Sequence, residues 1–129
     1  MGRNALFVAI GGAVGCVARF LIVSLVAENF PASIPYGTLL VNIIGSLVIG
    51  ASVGFADRFH WMQHEWRIFL TAGFCGGFTT FSAFSLDTAL LIERHHYALA
   101  AGYVAGSVLA SLIALFVGLA LFERRIPLP

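Results

Sequence analysis

Between Gly73 and Asp87 the chain reads GFCGGFTTFSAFSLD, a run that mixes hydroxyls, aromatic rings and paired glycines. Thr79, Thr80, Ser82 and Ser85 interleave with Phe78, Phe81 and Phe84, just after the Gly76–Gly77 pair. Hydroxyls donate hydrogen bonds without carrying charge, and an aromatic ring presents a positive edge. Those groups suit a small anion in transit. They do not suit bond-breaking, and no nucleophile–base pair or phosphate loop accompanies them. Phe81 and Phe84, three apart, share a helical face, which simple packing also produces.

The run lies where a membrane-spanning helix belongs. Arg67 and Glu93 bracket an apolar stretch of the length needed to cross about 30 Å of hydrocarbon. Each glycine of the central pair costs a helix interior about 1 kcal/mol relative to Ala, so a break is expected near Gly76–Thr80. Irregular backbone at membrane depth survives only when buried in protein or lining a cavity. Such a break offers carbonyls at the end of its first half, which suit a cation, and amides at the start of its second, which suit an anion. The alternative is a kinked helix whose small residues serve tight packing. Both readings stand on this stretch alone.

The remaining chain must supply the walls. With 129 residues, 60% hydrophobic and 10% charged, it reads as one integral membrane domain covering residues 1–129. Mean hydropathy is +0.96. A net charge of +1 and the absence of any basic run speak against a nucleic-acid partner. Cys16 and Cys75 both sit in apolar spans and do not read as a disulfide framework. Arg3, an apolar run and Ala13–Cys16 superficially imitate a lipoprotein signal. Ala13 stands where Leu is usual, and three more spans follow, so residues 1–27 are expected to stay as a span.

Four spans are expected, at about residues 5–27, 36–56, 68–92 and 97–122. Span one carries Gly11, Gly12 and Gly15, a smooth face for close helix approach, and Arg19. An Arg there either snorkels to the interface or lines a wet vestibule and concentrates anions. Span two places Thr38, Asn42 and Ser46 on one face, with Ser46, Gly50 and Gly54 as a packing stripe. The Asn42 amide could donate to an anion or hold the bundle through an interhelical hydrogen bond. His60 and His64 have the spacing of a helical metal pair, but no third ligand has clear spacing. Asp87 is the one carboxylate plausibly inside a span, either coupling protons or sitting near the interface. Span four repeats small residues at Gly102, Gly106, Ala110, Ala114 and Gly118, beside a hydroxyl row of Tyr103, Ser107 and Ser111. Those serines either form a polar track or bond their own helix carbonyls. Arg3, Arg58, Arg67, Arg124 and Arg125 fall on one side of the membrane and Arg94 on the other, which favours cytoplasmic termini.

GFCGGFTTFSAFS, the GTLLVN approach to Asn42 and the GGAVGCVARF run of span one closely resemble the Fluc (CrcB) family of small bacterial fluoride channels. The resemblance covers nearly the whole chain. It implies an all-α integral membrane protein of four transmembrane helices, the third broken, assembled as an antiparallel, dual-topology homodimer with two pores at the subunit interface. It further implies passive fluoride export across the bacterial cytoplasmic membrane. By motif match Phe81 and Phe84 would line the fluoride path with Ser82 beside them, and Asn42 would face it. Thr38, Tyr103, Ser107 and Ser111 would form its polar flank. Backbone carbonyls of Gly76 and Thr79 from both subunits would hold a structural Na⁺, and Arg19 matches the family's span-one arginine. Two departures stand out: Ala83 replaces the usual second Thr, and Asp87 occupies a Glu position.

Two rival functions follow from the same residues. A small dual-topology multidrug transporter, coupled to protons, would need a carboxylate deep in the membrane. A non-transporting assembly subunit would use Asn42 and the serines only to hold helices together.

Overall fold

A computed structural model describes residues 1–59 and 64–122. The elements are α1 (Gly2–Asn29), α2 (Tyr36–Phe59), α3 (His64–Ile68), a π-helical segment (Phe69–Cys75), α4 (Gly76–Phe78), α5 (Phe81–Glu93) and α6 (Tyr97–Ala120). The stretch from α3 through α4 is one continuous rod, and with α5 it makes the third of four apolar spans. The protein is thus an all-α, four-span membrane protein with a broken third span. Val17, Phe20, Ile113 and Phe116 point outward, where only lipid or another chain could cover them.

Glycines decide which helices meet. On α1, Gly11 and Gly15 are buried against the π-helical segment and α4, and Gly73 and Gly77 answer them from the other side. A Cβ on Gly15 would overlap the Phe74 carbonyl, and one on Gly77 would overlap the Gly12 carbonyl. Gly77 of the glycine pair is therefore a packing device, while Gly76 is open on its outer side. The pair does not break the helix, for Gly76 keeps φ −62° and ψ −37°. Gly50 and Gly54 of α2 play the same part against the Leu115 and Leu119 backbone of α6, with Gly118 returning the contact. The long small-residue row of α6 is used within the chain only at its Gly118 end. Gly102 and Gly106 face no atom within 4 Å of an added Cβ.

The α5 and α6 helices turn back on each other through three residues. His96 N–H donates to the Leu91 carbonyl and His95 N–H to the Ile92 carbonyl, with His95 at φ 60°. That is a Schellman ending with His in the left-handed position glycine usually takes. Below the turn Phe84, Leu91, Ala100 and Tyr103 form the core of the α5–α6 contact, with Leu39 of α2 against them. At the opposite end Arg3 and Glu65 form an ion pair, so the start of α1 and the start of α3 share one side. His60 lies outside the described residues. Among the described residues no three His, Cys, Asp or Glu side chains gather as a metal site.

If backbone proximity sets the α1 packing, Gly15→Ala should lower stability by about 1–3 kcal/mol through overpacking. Gly12→Ala is the control: its Cβ would stand 3.9 Å from the Gly73 carbonyl. It should be neutral or stabilising by up to about 1 kcal/mol, and thermal unfolding in detergent reads both.

Candidate functional site

The helix leaves its path at two residues. Thr79 has φ −85° and ψ 158°, and Thr80 φ −153° and ψ 116°, both extended. In an unbroken helix the Thr80 amide would donate to the Gly76 carbonyl four residues back. Here it donates instead to Asn42 Oδ1 at 2.8 Å, while Asn42 Nδ2 donates to the Thr80 carbonyl at 3.1 Å. One side-chain amide thus stands in for both missing backbone partners of Thr80.

The flanks of the break are closed with equal economy. The Thr79 amide and hydroxyl both donate to the Cys75 carbonyl, at 3.0 and 2.8 Å, ending α4. Thr80 Oγ1 accepts from the Ala83 amide at 3.1 Å, an N-cap for α5, and lies 3.1 Å from Ser82 Oγ. The cap uses the backbone of Ala83, so the hydroxyl missing there takes nothing from it. Gly45 of α2 gives Thr79 its seat, because any Cβ at that position would overlap the Thr79 methyl. Ser46 Oγ donates to the Asn42 carbonyl at 2.7 Å.

The break opens onto a cavity of about 360 Å³ between α2, the third span and α6. No charged side chain among the described residues lines it. Asn42, Phe81, Phe84, Ser107 and Ser111 form its walls, and Gly76 and Thr79 border it at the break. The Phe81 and Phe84 rings lie 5.3 Å apart at 48°. Phe84 is 8% exposed, whereas Phe81 is 78% exposed and stands open on the outer side. Ser107 is 5% exposed, and its hydroxyl has no hydrogen-bond partner. A buried hydroxyl left in that state costs free energy, and its residue is part of the cavity wall.

A family model described as CrcB-like protein, Camphor Resistance (CrcB), matches residues 6–119. The chain belongs to the CrcB family. It is 45% identical to a protein of Nitrobacter hamburgensis named fluoride-specific ion channel FluC 2, over 94% of this chain and 98% of that one. It is 48% identical to the fluoride-specific ion channel FluC of Caulobacter sp. strain K31, over 94% of each chain. A third relative of the same name, from Nitrobacter winogradskyi, is 50% identical over 88% of this chain and 90% of its own length.

Not every residue singled out in this CrcB chain reaches the cavity. Thr38, Tyr103 and Asp87 form a separate group on the α5–α6 side: the Tyr103 hydroxyl donates to Asp87 Oδ2 at 3.3 Å, and Thr38 stands beside the phenol. Phe84 links the two groups, its ring 5.4 Å from that of Tyr103. Ser82 is exposed at the start of α5. Arg19 is half-buried on α1 with Nη2 3.7 Å from Cys16 Sγ, turned back along its own helix and away from the cavity walls. Asn42 lines the cavity but commits its carbonyl and one N–H to Thr80, which leaves a single N–H for any ion.

Removing the Asn42 amide should expose both Thr80 backbone groups. Asn42→Ala is expected to cost about 2–6 kcal/mol, the penalty for two unsatisfied buried polar groups. Asn42→Asp keeps the acceptor for Thr80 N–H but sets an anion against the Thr80 carbonyl. It should therefore be destabilised too, and chemical denaturation of the detergent-solubilised protein compares the pair.

Proposed function

We propose that the chain is a fluoride channel that lets the ion leave the cell passively through the bacterial cytoplasmic membrane, and that it acts as an antiparallel homodimer. The observation that carries this reading is the buried, unpartnered Ser107 hydroxyl on an uncharged cavity at the helix break. Fluoride is small and strongly hydrated, so a path for it must replace water with donors one at a time. Conduction also requires each site to be weak enough to leave. Ser107, Ser111 and the remaining Asn42 N–H are such donors, and none brings a full positive charge that would trap the ion. The relatives' names, each a fluoride-specific ion channel, favour the same ion.

Several surfaces of one chain support pairing with a second. The Phe81 ring is open on one side. No atom lies within 4 Å of a Cβ added to Gly76, Gly102 or Gly106, so a partner backbone could approach all three. A structural Na⁺ fits this arrangement. The Gly76 carbonyl has lost its helical donor to Asn42, and the ground beside it is open. Carbonyl oxygens of Gly76 and Thr79, supplied twice over by a dimer, are ligands suited to a hard monovalent cation. Its part there is to hold the two breaks together.

The rivals fit less well. A proton-coupled multidrug transporter needs its carboxylate at the cargo, but Asp87 is bonded to Tyr103 and stands off the cavity. An assembly subunit would leave no buried serine unbonded; Ser46 and Ser52 are each bonded to a helix carbonyl at 2.7 Å. Ser107 is not.

Purified protein in liposomes, followed with a fluoride electrode, should release fluoride rapidly while holding chloride, with no pH gradient. Phe81→Ile should cut that efflux by roughly an order of magnitude or more, equivalent to about 1.4 kcal/mol in the barrier, while the dimer persists on size exclusion. Efflux that needs a pH gradient would point to coupled transport, and no efflux from well-reconstituted protein would point to an assembly role.

A further inference from the structure

We propose that Thr71, in the π-helical segment before the break, is a further fluoride-pathway residue, placed at the end of the cavity away from Phe84. The inference rests on the fluoride-channel reading above and adds a residue to it. Thr71 lines the same cavity as Ser107 and Ser111 and is half-buried there. Its position follows from the direction of the walls. The α2 and α6 helices run one way and the third span runs the other, so Thr71, which precedes the break, and Phe84, which follows it, border opposite ends of the cavity.

The π-helical turn is what brings Thr71 to this face. The Gly76 amide donates to the Thr71 carbonyl five residues back. In an α-helix residues five apart diverge by about 140° around the axis; the widened turn stacks them instead. Gly76 and Thr71 therefore look into one cavity. Such π-helical turns recur at functional sites because they re-aim a side chain at the cost of poorer backbone bonding. Thr71 adds a hydroxyl from the third span to those that Ser46 of α2 and Ser107 and Ser111 of α6 bring to the cavity.

The hydroxyl chemistry fits a transit site. At rest Thr71 Oγ1 donates to the Arg67 carbonyl at 2.8 Å. A hydroxyl can swing about its Cβ–Oγ bond, and a hydrogen bond to an anion is stronger than one to a neutral carbonyl. An arriving fluoride would thus draw the proton toward the cavity. On departure the bond to Arg67 reforms, so the ion is met but not held. Ser107, buried and without a partner on the same cavity, is the independent sign that donors here are kept for a visitor.

The test is fluoride efflux from liposomes over a range of fluoride concentrations for wild type, Thr71→Ala, Thr71→Val and Thr71→Ser, with Phe81→Ile alongside. Ala and Val should lower efflux about threefold to tenfold, the range of one lost hydrogen bond. They should also raise the fluoride concentration at half-maximal rate, while Ser behaves like wild type. Ala is a strong helix former, so at least one hydroxyl-free variant should fold. Wild-type behaviour of both Ala and Val while Phe81→Ile is impaired would overturn the role of Thr71 and leave the channel standing. So would an equal loss in Ser, or a fall in rate with an unchanged half-maximal concentration, since each indicates packing alone. Absence of efflux in wild type would remove the fluoride reading itself, and this inference with it.

Discussion

Everything at the centre of this molecule depends on one side-chain amide lying against one peptide unit. Asn42 presents an acceptor to the Thr80 N–H and a donor to the Thr80 carbonyl, so it imitates the backbone that a continuous helix would have supplied. In hydrocarbon an extended residue without such partners would be prohibitively costly. With them the third span can stop at Phe78 and resume at Phe81. The consequence is an interior wall whose polarity, among the described residues, comes from hydroxyls, one spare amide hydrogen and helix ends, with no ionised side chain.

Glycine packing makes that geometry affordable in space. Gly45 admits the Thr79 methyl, while Gly11, Gly15, Gly73 and Gly77 lock the front half of the third span onto α1. The rod up to Phe78 is thereby fixed on one side, and α5 is fixed on the other through Phe84, Leu91 and the α6 core. Two rigid pieces meeting at an extended pair leave a cavity between them.

Much of this was legible in the chain. Four apolar runs gave the spans, and the mixture of Thr, Ser, Phe and Gly marked the third as irregular. The glycines were misleading in detail. Their poor helix propensity points to a break at the pair, yet α1 packs closely on Gly77, Gly76 stays helical, and the extended residues are Thr79 and Thr80. The Asn42 amide alone suits two partners, an anion or another helix. Folding sets it against the break while it still borders the cavity. Thr71 went unnoticed because it sits before the glycine pair in a run that looks like plain helix. Its signal was the spacing of Thr71, Cys75 and Thr79, but the π-helical turn that sets its direction has no simple sequence mark. Arg19 was read as reaching for the interface or a vestibule, and its side chain folds back toward Cys16.

The central claim is that the Ser107 hydroxyl is left unbonded so that it can meet an ion. Function and stability should then pull in opposite directions at this residue, and paired measurement of fluoride efflux and unfolding temperature for Ser107→Ala is the direct test. The account predicts slower efflux together with an unfolding temperature equal to or above that of wild type, because the change removes an unsatisfied buried polar group. Undiminished efflux, or a loss of efflux that merely tracks a loss of stability, would contradict it.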